Sequence, residues 1–179
     1  MSSKCVIDLE PDCPSCAALC CVVFAFDKSE SFAIDKAAGV VCPSLENSGK
    51  CSIFDNREAM GFKGCITYNC HGAGQRITQE VFNGKSWRND PALTERMGSA
   101  LSVLRRIHEQ LLLLRSARQL PLTCDENSAA DGYEQDLDPE IAWSETSLKM
   151  YPIDEVSRKV ATFLRSLRHH VTENTSART

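Results

Sequence analysis

Apolar residues recur at three- and four-residue steps in two stretches of the second half of the chain. Leu93, Met97, Ala100, Leu101, Leu104, Ile107, Leu111 and Leu114 form the first series, and that spacing places them on one face of a helix. Asn89-Asp90-Pro91 opens it, with Asp90 able to cap and Pro91 suited to the first turn. Pro121 closes it, so the pattern predicts a helix running to about Leu120. A last helix is predicted from Pro152-Ile-Asp-Glu, carrying Val156, Val160, Phe163, Leu164, Leu167 and Val171 on one face. The two stripes suit each other as partners in a helical hairpin or small bundle.

Between the helices, Asp125, Glu126, Asp131, Glu134, Asp136 and Asp138 occur with no basic residue. Such a run predicts a solvated acidic linker over 123–139. The polar tail after Val171 is expected to fray. No internal repeat is present, which sets solenoids and propellers aside. The first half lacks helical periodicity. Ala17 to Phe26 fits a buried strand or a helical turn equally well. Cys51-Ser-Ile-Phe54 and Gly64-Cys-Ile-Thr-Tyr68 are short and bounded by Gly, Asn and Lys, which predicts loops with brief helices or strands. The character changes near Trp87–Pro91, so the chain divides into 1–88 and 89–179.

The 179 residues are 42% hydrophobic and 25% charged, the balance of an ordinary globular protein of one domain, or one domain and a small appendage. Twenty Lys and Arg against 24 Asp and Glu give a net charge of -4, which argues against a general nucleic-acid binder. The ten cysteines change the picture more. Nine of them lie in the first 70 residues, about 13% of that stretch and above the level that marks a cysteine-built scaffold.

Compartment decides whether such cysteines form disulfides or hold metal. The opening MSSKCVIDLEPDC has one Lys followed by Asp8, Glu10 and Asp12, and its apolar run from Cys16 to Phe26 comes only after those acids. This is not the shape of an export signal, and the run falls short of the roughly 20 residues a membrane span needs. A cytoplasmic protein with reduced thiols and no membrane segment is therefore expected. In that setting dense cysteines point to thiolate ligands.

Cys13-Pro-Ser-Cys16-Ala-Ala-Leu-Cys20-Cys21 is followed by Cys42, Cys51, Cys65 and Cys70. A two-residue gap lets a tight turn bring both sulfurs onto one metal, as in zinc and iron-sulfur sites. Eight thiolates are arithmetically enough for two four-thiolate centres. Adjacent Cys20 and Cys21 are expected to point in different directions, and so to serve different centres or bridge two nearby ions. Spacing does not tell how the others pair.

These residues carry a resemblance. The Cys-x2-Cys-x3-Cys-Cys run, Cys42-Pro-Ser-Leu45, Gly49-Lys-Cys51-Ser-Ile-Phe-Asp-Asn-Arg57 and Gly64-Cys65-Ile-Thr-Tyr-Asn-Cys70 together resemble the zinc- or iron-chelating eight-cysteine family (YkgJ-like) over about residues 10 to 75. The resemblance implies that Cys13, Cys16, Cys20, Cys21, Cys42, Cys51, Cys65 and Cys70 are metal ligands, and it implies no agreed reaction. The chain departs from the family at Gly61-Phe62-Lys63. The Pro that often follows the family's Arg is absent, and Glu58 to Lys63 form a longer insertion before Cys65. Cys5 and Cys124 fall outside the pattern and are expected to be free or buried thiols.

His71 follows Cys70 and is a further candidate ligand or donor to one, though a surface role is the commoner one for such a histidine. Gly72-Ala-Gly74-Gln-Arg76 has the look of a phosphate-loop fragment without its third glycine, and a turn leading into a helix over about Gln75–Phe82 is the better reading. Lys28, Lys36, Lys50, Arg57, Lys63 and Arg76 are near enough in sequence to offset thiolate charge. No nucleophile elbow, Walker loop, dinucleotide fingerprint or zinc-hydrolase histidine pair occurs, so no residue argues for a catalysed reaction.

The fold expected from all this is a small metal-stabilised, loop-rich α+β cysteine-cluster domain at 1–88, followed by a helical hairpin or small α bundle at 89–179. The expected function is a cytoplasmic metal-binding protein holding zinc or iron, either as single ions or as an iron-sulfur cluster. Its rivals are an iron-sulfur redox protein or enzyme accessory subunit, and a helical adaptor with a structural zinc module. Metal ions are the expected partners, with a homodimer or protein partner through the helical region also open; nucleic acid is not expected.

Overall fold

Residues 7–171 are described by the computed structural model. The described chain is helical: α1 (Cys20–Val23), α2 (Lys63–Thr67), α3 (Ala73–Arg76), α4 (Leu93–Ala117), α5 (Cys124–Leu137), α6 (Glu145–Met150) and α7 (Ile153–Ser166). Single 3-10 turns occupy Cys13–Ser15 and Phe54–Asn56, and a π-helical turn over Ile77–Val81 extends α3.

The apolar stripe read from the sequence becomes the buried face of α4. Leu93, Met97, Ala100, Leu101, Leu104, Ile107, Leu111 and Leu114 are all buried, and His108 joins them with no exposed surface. Around this face pack α1, α3 with its π turn, α5, α6 and α7. Gly98 permits a close approach of α1, since a Cβ there would lie 3.2 Å from a Val23 methyl. Arg96 pairs with Glu145 of α6 at 2.5 Å, and Arg106 with Asp154 of α7 at 2.6 Å. These exposed pairs set register more than they add stability.

One hydrophobic core joins both parts of the chain. Ala17, Leu19, Val22, Ala73 and Ile77 from the first part pack with the α4 stripe, and with Leu148, Ile153, Val156 and Val160 from beyond it. The Trp87 indole, where the sequence changes character, donates to the Ala17 carbonyl at 2.7 Å, and the Ala17 amide donates to Thr78 Oγ1 at 3.0 Å.

The expected α+β cysteine-cluster domain is corrected by the structure. The described residues hold no sheet, and their only β features are two isolated antiparallel bridges, Phe26 with Lys36 and Leu45 with Cys51. The Ala17–Phe26 run contains the single helical turn α1, and Gly64–Tyr68 overlaps α2. The reason is local. A strand needs a partner over several residues, and this segment turns too often for any pairing to extend past one bridge.

The acidic linker expected over 123–139 is likewise corrected, because most of it is α5. Thr123 caps the helix through a capping box with Glu126, and Asp125 and Glu126 suit the positive end of the helix dipole. Arg118, just past α4, takes up charge the linker reading left to solvent, pairing with Glu134 at 2.8 Å and also with Asp131. Ala130 and Leu137 are buried, and Leu137 joins the common core. α4 itself stops at Ala117, slightly short of the expected Leu120.

Leu137 separates the two readings. In a solvated linker its truncation is nearly neutral, whereas here Leu137 is fully buried. Leu137→Ala is expected to lower the unfolding free energy by about 2–5 kcal/mol, as measured by urea denaturation.

Candidate metal centre

The cysteines sit on short, irregular pieces, of which α1 and α3 pack against α4. Cys13 begins a 3-10 turn capped by Asp12, whose carboxylate accepts from the Ser15 amide. Cys20 and Cys21 open α1, Cys65 lies in α2, and Cys70 immediately precedes the turn into α3. The nine described cysteines are all free thiols, and Cys5 lies outside the described residues. Cys124 is exposed at the start of α5, away from the group.

The fold brings the eight sequence-chosen thiols into one electrostatic neighbourhood. Cys13 and Cys16 both feel Cys20 and Cys70. Cys65 feels Cys20, Cys42 and Cys51. Cys20 is the member common to both sets. Its Sγ lies 4.0 Å from that of Cys21, close to the roughly 3.8 Å separating two thiolates on one tetrahedral zinc. The adjacent side chains therefore do not diverge as expected: one helical turn keeps both sulfurs together. Among the described residues, however, no three of these thiols converge within 4.8 Å of one another.

Gly74 explains how Cys16 and Cys70 approach α3. A Cβ at Gly74 would fall 2.7 Å from Cys16 Sγ and 3.8 Å from Cys70 Sγ. Gly72 supplies the left-handed turn into the helix, with φ 75°. The Gly-Ala-Gly segment thus seats two sulfurs, and its helix starts two residues earlier than the expected Gln75.

Of the six candidate cations, Lys36 and Arg57 reach the thiols. Lys36 is buried, and its ammonium donates to the carbonyls of Val22 (3.3 Å), Ala37 (3.2 Å) and Val40 (2.7 Å). Three donors thus find three acceptors, leaving the charge itself beside Cys42, Cys21 and Cys20. Burial pulls the Lys36 ammonium below its ordinary value, and the thiols oppose that fall. Arg57 donates to the Phe54 carbonyl at 2.7 Å and to the Cys65 carbonyl at 3.2 Å, and it faces Cys13 and Cys65. Arg76 does not serve the thiols. It pairs with Glu80 at 2.9 Å and Asp138 at 3.8 Å.

Burial pushes the Cys16 and Cys65 thiols up to about 11. Cys20 is raised too, first by its contact with Cys21 and then by burial. Without an ion these sulfurs are neutral thiols, and taking up metal displaces their protons. The Tyr68 hydroxyl is buried with no hydrogen-bond partner and has Cys70, Cys20 and Cys16 as electrostatic neighbours. A metal-bound thiolate is an acceptor that such an orphaned donor lacks here. The donor set, the two cations and this unsatisfied phenol all fit a thiolate-held metal.

Sequence reasoning missed His108. Arg76 Nη1 lies 3.1 Å from its Nε2, and His71 O lies 2.5 Å from its Nδ1. A guanidinium only donates and a carbonyl only accepts, so the ring is the neutral tautomer with its proton on Nδ1. It is the His71 carbonyl that is engaged, while the His71 ring joins no convergent ligand group among the described residues. Because His71 follows Cys70, this bond ties a thiol-bearing turn to α4. The only sequence signal was a histidine falling on the apolar stripe.

No family model matches the chain, and no solved structure matches it. A Bacillus subtilis (strain 168) protein bearing the name "Uncharacterized protein YybG" is 38% identical over 115 residues, which are 64% of this chain and 41% of that protein. The chain therefore spans about two fifths of that relative's length. Among the described residues, no helix is long and apolar enough to cross a membrane.

Burial lowers His108 from 6.5 to about 4. The unfolded chain thus binds the extra proton between those values, and stability rises with pH across that window. The contribution is complete above pH 6.5 and is lost as pH falls through 4, about 3 kcal/mol in all. Urea unfolding between pH 7 and pH 4 is expected to show this slope, and His108→Gln to flatten it.

Proposed function

We propose that this protein binds zinc or iron through Cys13, Cys16, Cys20, Cys21, Cys42, Cys51, Cys65 and Cys70. The observation that carries the reading is the gathering of these eight reduced thiols into one neighbourhood around Cys20, with the buried ammonium of Lys36 beside three of them. The resemblance to the eight-cysteine chelating family points the same way. Bound metal would cross-link a segment that has few regular elements of its own, so that binding and local folding are one process.

The chain's own residues have separable parts in this. Gly74 leaves room for Cys16 and Cys70, and His108 holds the turn that follows Cys70. Lys36 and Arg57 offset part of the thiolate charge, and Tyr68 offers a hydrogen bond to a sulfur. Two zinc ions on eight thiolates and two four-thiolate iron-sulfur clusters both carry a formal charge of about -2 per centre, so the cations offset the same charge in either case. A cytoplasmic location with reduced thiols accords with this reading.

Anaerobic purification followed by assay of zinc, iron and acid-labile sulfide is the test. Metal at about one to two centres per chain is expected, zinc without sulfide marking single ions and iron with equal sulfide marking clusters. Cys16→Ser is expected to lower the metal content and expose residues 10–75 to protease. A metal-free chain whose protease resistance is unchanged by chelator or by Cys16→Ser overturns the reading. Gly74→Ala, whose methyl would overlap Cys16 Sγ, is expected to speed loss of metal to a chelator while leaving the α4 core intact by circular dichroism.

A further inference from the structure

Outside the cysteine segment, Glu126, His169 and His170 offer a carboxylate oxygen and two ring nitrogens, all within 4.8 Å of one another. Glu126 lies in the first turn of α5, and the histidines lie in a helical turn over 168–171 that follows α7. The fold has brought together residues more than 40 positions apart. His170 is buried, Glu126 is largely covered, and His169 is half exposed.

The two contacts differ in kind. His170 Nε2 lies 2.9 Å from Glu126 Oε2, an ordinary hydrogen-bond length. That oxygen also accepts from the Thr123 amide at 2.8 Å and the Thr123 hydroxyl at 3.0 Å. The other carboxylate oxygen, Oε1, faces His169 Nε2 at 3.5 Å. This exceeds a normal N–H···O distance. It is close to the roughly 3.3 Å between two ligand atoms that each sit about 2.0 Å from one tetrahedral ion.

Proton placement agrees with that spacing. His169 Nδ1 lies 2.9 Å from the Ser166 carbonyl, which only accepts, so Nδ1 carries the hydrogen. Nε2 is then the nitrogen that faces the carboxylate. A backbone carbonyl fixing the far nitrogen is the usual support of a metal-bound histidine. The two imidazole ring centroids stand 3.9 Å apart, so both rings border the same space.

We propose that Glu126, His169 and His170 form a second site, separate from the thiolates, for a divalent first-row transition ion of the zinc class. The ion would displace the proton that His170 Nε2 now donates to the carboxylate, take that carboxylate and the two Nε2 atoms, and keep its remaining positions for water. It would fasten the end of the helical region to the first turn of α5. The site does not depend on the thiolate reading.

Zinc added to the full chain, with imidazole nitrogens followed by 1H–15N NMR, tests it. The Nε2 resonances of both His169 and His170 are expected to shift together and saturate. Dialysed wild type should retain one more zinc per chain than His169→Gln, a change at a half-exposed side chain. Cys16→Ser should leave these imidazole shifts unaltered, which separates this site from the cysteine centre. Unmoved Nε2 resonances, or equal zinc in wild type and His169→Gln, overturn the proposal and leave the trio a hydrogen-bonded clasp.

Discussion

Everything in this structure is set against one buried helical face. The α4 stripe removes seven large apolar side chains and Ala100 from water, and no other described element offers a comparable surface. Five of the other six helices of the described chain pack on it, and the sixth, α2, belongs to the loop-rich cysteine segment. That segment borrows its order from α4. Leu19, Val22, Ala73 and Ile77 reach into the common core, while the pieces between them are turns and single bridges. Short segments with so few regular elements hold their shape only when tethered, through packing, hydrogen bonds to a helix, or metal.

The candidate centre is as much a problem in charge as in ligands. Eight thiols gathered together are mutually unfavourable as thiolates, and burial raises several of them further. Lys36 and Arg57 answer this from two sides. Both are held by backbone carbonyls and pair with no carboxylate among the described residues, so neither charge is cancelled there before it reaches the sulfurs. Arg76 shows the contrast, because Glu80 and Asp138 take its charge and it serves the fold through His108.

Helical periodicity made α4 and α7 legible, since burial of one face leaves its period in the sequence. α5 was not legible. Its acids dominate the composition, and their neutralisation comes from Arg118, which lies outside the segment. The cysteine segment was legible as a cluster of thiols but not as a fold: a short apolar run such as Ala17–Phe26 fits strand or helix until its neighbours are known. His108 was hidden for a related reason. On the stripe it looks like an interruption, and only its contacts with His71 and Arg76 show it holding the turn after Cys70.

The sequence by itself determined which thiols are candidate ligands and which helix would organise the core, because both follow from residue type and local spacing. The tertiary structure alone decided that Cys20 stands between the two groups of thiols and that Lys36, Arg57 and Tyr68 face them. It alone also brought Glu126 to His169 and His170 across more than 40 positions. Those relations are contacts between segments distant along the chain. Local propensity carries no information about them, and only packing against α4 brings them into range.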